Sequence, residues 1–394
     1  MKPRAGLKSQ SRAGETPTLL FSIHTLGIGA VVVVAMSLMG WLMFRQSPRP
    51  SSTQPDSARA PAALAATGLT RPRSSGTRTA PPVSENRRTT NLLARLSKGE
   101  SLSVTLEQLE PYLQANHRDA ESLLAAYQAT HERALLDEAI AKYPSDPRVA
   151  YTAWFRSEPG GNDPDALKAR RQALDVLKQA APDNALANYL SAANYFKSGQ
   201  PDQAIQDLQA AAAKPNYNDY TQDAIQSMTE AYLAAGYSEA DSKLAATSGA
   251  LLPHLAELKQ DGLSLVELAK SYQRADDAAS AQAALQMCLA LGQRLDDPNA
   301  LTLIQTLVGI AVQRMGLEAL AGIAPDADAR QAVQDRLNAL LQHREAIKAT
   351  ATAQSVEDWL QTASPQDVAA FCDRERLFGE QRAMQWVADR QAKP

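Results

Sequence analysis

The chain contains only two cysteines, Cys288 and Cys372, among its 394 residues. Each sits inside a helical pattern and reads as a small buried hydrophobe, so no disulfide framework is expected. Aromatic residues make up only 5% of the chain. Runs of β-branched residues are almost confined to one segment near the N-terminus, which argues against a sheet. Recognisable chemistry is also missing. No CxxC pair, P-loop or GxSxG occurs, and the five histidines, His24, His117, His131, His254 and His343, are isolated. His131-Glu132 begins like HExxH, but Leu135 stands where the second zinc-binding histidine belongs. The loop "SEPGGNDPDA" gathers Glu158, Asp163 and Asp165 without EF-hand spacing. No catalytic, cofactor-binding or metal-binding residue is therefore expected, and a non-enzymatic role is favoured.

What the chain does have is alanine and leucine, which supply most of its 44% hydrophobic content. Alanine has the highest helix propensity and lets helices approach closely, so the expected fold class is all-α. Charge is divided unevenly. Residues 1–90 carry twelve Lys/Arg against Glu15, Asp56 and Glu85, a net +9; the remainder carries a net -12. A body of that sign repels phosphate backbones, which excludes nucleic acid as its expected partner.

Residues 1–18 form a basic tail. Leu19–Phe44, "LLFSIHTLGIGAVVVVAMSLMGWLMF", then runs 26 residues without a formal charge. That exceeds the roughly 20 residues a helix needs to cross about 30 Å of hydrocarbon. Val31–Val34 favour helix there because lipid offers the backbone no other hydrogen-bond partners. Trp41 and Phe44 fall where an interfacial belt belongs. His24 lies near one end with no acidic partner in the span, as a neutral imidazole near the interface. The expectation is one transmembrane anchor. Lys2, Arg4, Lys8 and Arg12 precede it, while Arg45, Arg49 and Arg59 follow. That small bias leans towards a cytoplasmic N-terminus, with the body outside a bacterial inner membrane.

Residues 45–90 hold seven prolines among Ser, Thr and Arg, and show no apolar periodicity. Such a composition cannot bury enough surface to offset its ordering entropy and reads as a disordered linker. From Asn91 onward the pattern is helical. Helix starts are expected at Asp146-Pro147, Asp163-Pro164, Asp297-Pro298 and Ser364-Pro365, where an acceptor side chain caps free N–H groups and proline takes the first helical position. A further start is expected at Ser355, and Gly379 suits a helix stop.

Within "ALANYLSAANYFKSGQPDQAIQDLQAAAAKP", Ala192, Tyr195, Gly199, Ala204, Leu208 and Ala211 fall at offsets 0, 3, 7, 12, 16 and 19. This spacing resembles the tetratricopeptide repeat (TPR), a helical hairpin whose small residues let two antiparallel helices approach. Tyr232 and Gly236 repeat the Tyr–Gly pair 37 residues later. Ala269, Tyr272, Ala281, Leu285 and Cys288 repeat the pattern again, with Asp276 in place of glycine. The helices around Arg148–Trp154 and "ALDVLKQAAPDNA" resemble a further unit. The resemblance implies an α-solenoid of degenerate TPR-like hairpins over residues 91–300, with residues 301–394 as a helical extension capping it. Val333, Leu337, Leu340, Arg344 and Ile347 form a seam suited to that cap or to a short coiled coil.

In such an array the first helices of the units line a groove that binds a peptide or partner protein. The positions matching the family's carboxylate clamp are Tyr189 and Ala193, Gln226 and Glu230, and Val266 and Lys270, of which only Lys270 has suitable chemistry. The candidate partner-binding residues are Tyr189, Phe196 and Lys270, offering an apolar or aromatic surface with one cation. The expected function is a membrane-anchored interaction scaffold without a cofactor. The alternatives are an all-helical enzyme with an acidic residue in the concave face, or an envelope protein that self-associates through residues 326–350.

Overall fold

The computed structural model describes residues 92–93, 95–96, 101–157, 164–351 and 355–392. The expected anchor (19–44), the linker (45–90) and most of the acidic loop at 158–165 lie outside the described residues. The described chain is all-α, sixteen helices with no strand.

The first five helices are α1 (Leu106–Ala115), α2 (Ala120–Thr130), α3 (Arg133–Lys142), α4 (Pro147–Arg156) and α5 (Pro164–Ala180). Thr105 and Gln108 cap α1 reciprocally, and Asp119 accepts from Ser122 N at the start of α2. Asp146 accepts from the N–H groups of Arg148 and Val149 ahead of Pro147, as the sequence predicts. Then come α6 (Leu186–Lys197) and α7 (Pro201–Ala212), α8 (Thr221–Ala234) and α9 (Glu239–Ser248), α10 (Pro253–Arg274) and α11 (Ala278–Leu295). These six helices form three hairpins. Their turns pass through Gly199, Gly236 and Asp276 at φ of +69°, +91° and +57°, the three positions that the repeat spacing aligns. Glycine enters this left-handed region without penalty, and aspartate is among the few side chains that tolerate it.

The remaining helices are α12 (Leu303–Ile323), α13 (Ala327–Ala351), α14 (Ser355–Thr362), α15 (Pro365–Phe378) and α16 (Glu380–Gln391). Ser364 caps α15 ahead of Pro365, and Gly379, at φ +89°, separates α15 from α16. One predicted start fails. Asp297-Pro298 opens a turn instead, with Asp297 accepting from Asn299 N (2.7 Å) and Ala300 N donating back to Asp297 O (2.8 Å). The helix begins only at Leu303, where Thr302 accepts from Gln305 N. An Asp-Pro pair serves a turn as readily as a helix N-terminus, and the competing cap at Thr302 decides between them.

The hairpins do not follow one another as a simple stack. The α6–α7 hairpin packs on α5, α10 and α11, whereas α8 packs on α1 and α2, and α9 on α15. The chain changes partners in the segment between α7 and α8. Asn184, 6% exposed, grips that segment. Its amide donates to Asn218 O (2.7 Å) and Tyr220 Oη (3.1 Å), and its carbonyl accepts from Leu186 N (3.1 Å) and Asn218 N (3.0 Å). Ala185 N donates to Asn216 O (2.8 Å) beside it. Residues 214–220 are thereby turned across the start of α6 and away from α7.

Helix α12 is long and apolar enough, by length and composition, to cross a membrane, and 39% of its most apolar window is buried. It packs on α10, α11 and α13, which gives its apolar residues partners within the body. Gly292 of α11 and Gly309 of α12 meet where the two backbones cross. In α13, Leu337, Leu340 and Ile347 of the predicted seam are buried in the main core. That helix packs on α12 and α16.

Candidate functional site

An open cavity lies between the turned segment 215–222 and the connection from α11 to α12. Its volume is about 230 Å³. Tyr217, Asp219 and Gln222 line one side, and Arg294, Asp297 and Asn299 the other. Arg294 closes the cleft at one end, donating to Lys214 O (2.8 Å) and Pro215 O (3.2 Å). The clamp at Asn184 therefore sets one wall, and Arg294 fastens that wall to α11.

Behind the cleft a polar relay runs into the core. Asp219 Oδ2 lies 3.2 Å from His254 Nε2, and His254 Nδ1 lies 2.9 Å from Tyr151 Oη. His254 is fully buried on the first turn of α10. One ring nitrogen of His254 thus faces the Tyr151 phenol and the other faces the Asp219 carboxylate. That second contact is off-line for a hydrogen bond, so it acts mainly as a close electrostatic pairing. Burial pushes the Asp219 carboxyl upward, but His254 and the Thr221 N–H outweigh it and leave the group below its ordinary value. A carboxylate held ionised beside a cavity is a fixed negative charge on its floor. Burial, followed by the Asp219 charge, pushes the Tyr151 and Tyr217 phenols well above theirs. The rings pack together, Tyr151 stacking on Trp154 (5.5 Å) and Tyr217 meeting His254 edge-on (6.4 Å). The Tyr217 hydroxyl and Gln222 Oε1 are buried without a hydrogen-bond partner. Such groups are expensive to leave unpaired, at about 1–3 kcal/mol each.

A second polar cluster is closed. Glu257 accepts from Arg170 (3.2 Å) and Lys197 (2.7 Å), and Arg170 lies over the Trp154 ring (4.9 Å). One turn further along α10, Asp261 is fully buried and neither carboxyl oxygen has a partner. Burial, then repulsion from Glu257, pushes it well above the carboxylate range. It does not line the cleft and reads as a protonated core residue.

The sequence-predicted candidates take different places. Tyr189 is 3% exposed and reaches the cleft only through Arg294, whose charge opposes the upward push of burial on the phenol. Phe196 is half-buried against the core. Lys270 is exposed and pairs with Glu267 at 2.7 Å. Neither Phe196 nor Lys270 lines the cleft. The residues that build it were missed because Tyr151, Asp219 and His254 are widely separated in sequence. The only local signal was "KPNYNDYTQD", whose two tyrosines are unusually apolar for an exposed interhelical loop. Cys288 and Cys372 are free and buried, and burial pushes the Cys288 thiol up to about 12. Among the described residues, no three His, Cys, Asp or Glu side chains are grouped to share an ion.

Compared with family models, curated proteins and solved structures, the chain matches none.

Proposed function

We propose that the protein is a membrane-anchored interaction scaffold. Residues 19–44 span a bacterial inner membrane, residues 45–90 are a flexible stalk, and a body of TPR-like hairpins holds a short polar segment of a partner protein outside the cytoplasm. The observation that carries this reading is the 230 Å³ cleft with the unpartnered Tyr217 hydroxyl and Gln222 carbonyl buried beside it. A partner's backbone N–H and C=O groups supply the missing donor and acceptor. The volume suits one or two residues of an extended chain, not a folded domain. Tyr189 supports the site from behind through Arg294. Phe196 and Lys270 then serve any adjoining surface rather than the cleft itself.

The enzyme alternative is less well supported. The most strongly raised carboxyls, Asp261, Glu375 and Glu380, sit in interior positions, and Asp223, also raised, lies exposed on α8 outside the cleft lining, whereas Asp219, one of the two acidic residues lining the cleft, is held ionised. A photo-crosslinking residue at Asn299 of the full-length protein in cells tests the scaffold. A discrete adduct is expected, reduced several-fold when Tyr217→Ala and Gln222→Ala are combined. The same crosslinker at Asp335, on exposed α13, is the control. Identical adducts from both positions, unaffected by the double substitution, refute the proposal.

A further inference from the structure

Helices α15 and α16 fold back on each other as a hairpin. Arg390 of α16 pairs with Asp367 of α15 at 2.8 Å, and nearer the turn Arg374 lies over the Trp386 ring at 4.8 Å. The tip is fastened from the inside. Gly379 N donates to Glu375 O (3.0 Å) and Glu380 N to Leu301 O (2.9 Å), while Glu380 Oε2 accepts from Leu303 N (2.8 Å). On the outside of this turn stand Leu377 and Phe378. At 56% and 50% exposure they are the two most exposed large hydrophobic side chains among the described residues. Adjacent in sequence, they form a convex apolar ridge, unlike the singly exposed leucine that any surface tolerates.

Arg374 and Arg376 precede the ridge and Arg382 follows it, and none of the three has an ion pair among the described residues. The aspartates of α15 are engaged elsewhere, Asp367 by Arg390 and Asp373 by Lys243 (2.8 Å). Burial, joined at Glu375 by repulsion from Glu380, pushes the Glu375 and Glu380 carboxyls upward, which lessens the negative charge they lend the tip. Arg374 and Arg376 suit the C-terminal end of α15. Arg382, however, is exposed in the first turn of α16, where the helix dipole opposes a cation. Helix stability does not account for it. This end is locally positive in a chain that carries a net -12 from residue 91 onward.

We propose that the α15–α16 tip docks on the surface of an anionic phospholipid bilayer. Leu377 and Phe378 enter the boundary between headgroups and acyl chains, and Arg376 and Arg382 meet the lipid phosphates. A convex ridge offers no pocket to a peptide, whereas a bilayer surface needs none. The proposed anchor brings the two together, because a flexible stalk of residues 45–90 keeps the body within roughly 40 Å of the membrane. The inference goes beyond the scaffold reading and does not depend on what fills the cleft. It also sets an orientation. Ala300 and Leu301, against which the tip rests, line the cleft as well, so docking places the mouth of the cleft beside the bilayer.

The test uses the full-length protein in vesicles, with Gln381→Cys carrying an environment-sensitive NBD label. Gln381 is exposed beside the ridge, and the native Cys288 and Cys372 are buried and escape labelling. Emission is expected to rise several-fold and shift to the blue in mixed phosphatidylcholine and phosphatidylglycerol vesicles relative to phosphatidylcholine alone, and to be quenched by spin-labelled lipid. Arg382→Gln is expected to weaken docking about fivefold. Leu377→Ser with Phe378→Ser is expected to abolish it with far-UV circular dichroism retained, since both side chains are exposed. The same label at Asp335, exposed on α13, should not respond. Emission equal in the two kinds of vesicle overturns the proposal, as does a rise that survives the double serine substitution or appears equally at Asp335. A response to polyglutamate in phosphatidylcholine vesicles, without one to phosphatidylglycerol, also overturns it and assigns the ridge to an acidic protein. Carbonate extraction of the same vesicles reads the anchor separately from the label.

Discussion

Substituting Gly309 by alanine puts a single methyl group where two helix backbones cross. A Cβ at that position lies 2.6 Å from Asp296 N, 2.7 Å from Gly292 O and 2.9 Å from Leu295 Cβ. Ordinary contact begins near 3.4 Å, and two of these obstacles are backbone, so no rotamer change relieves them. Helices α11 and α12 must separate by several tenths of an ångström along a contact that includes Cys288, Leu289 and Val312. Overpacking of this kind costs roughly 1–3 kcal/mol, with the upper end applying when backbone must move. Replacing a helical glycine returns up to about 1 kcal/mol of conformational entropy. The expected net loss is roughly 2 kcal/mol. Urea unfolding of the full-length protein in detergent, followed at 222 nm, reads it as a lower midpoint with unchanged slope. Gly322→Ala is the internal control. It lies in the same helix with nothing within 4 Å of the added Cβ, so it is expected to gain up to about 1 kcal/mol. If Gly309→Ala is as stable as Gly322→Ala, the close crossing of α11 and α12 is refuted.

Two further outcomes follow from buried and paired groups. Asn184→Ala removes four hydrogen bonds at a site 6% exposed. It is expected to lose roughly 2–4 kcal/mol, and proteolysis should begin within residues 214–220; cleavage elsewhere as the first event contradicts the clamp. The Arg118 guanidinium, 2.6 Å from Glu138, holds that carboxyl down to about 2, with Lys142 assisting. A depressed carboxyl stabilises the fold above its unfolded value near 4.3 and loses that contribution as pH falls towards 2. With both side chains about a quarter exposed, solvent screening limits the effect to about 1 kcal/mol. Arg118→Met should therefore lose stability at pH 6 yet show a flatter decline between pH 4.5 and 2.5, measured by urea midpoints; parallel pH curves for the two proteins would sink the assignment.

Local features were legible in the sequence because local physics fixes them. Asp146, Ser364 and Gly379 act within a few residues of themselves, and their caps and stops are where the pattern placed them. Asp276 stood in a glycine position and takes a glycine-like φ. Asp297 fails for the same local reason, since a turn satisfies its carboxylate as well as a helix does. The cleft was not legible. Its floor depends on Asn184 reaching Asn218, and on Tyr151 meeting His254 across 103 residues. No periodicity records such a meeting. Tyr189 shows the same limit from the other side. Its spacing matched a groove position, yet its face of α6 is covered by the core.

The change of partners between α7 and α8 bears on how the chain folds and how it can change over generations. In a linear array each hairpin touches only its neighbours, so units can fray, duplicate or be lost one at a time. Here α8 meets α2, with Ser227 bonding Glu121 across 106 positions, and Lys243 reaches Asp373 across 130. Such closures must form together, so unfolding should be a single event rather than an unzipping from one end. Folding should also be slower than helix content alone suggests. A hairpin duplicated or deleted between α3 and α15 would break these closures, which leaves the length of this body fixed where a true array's is free to vary.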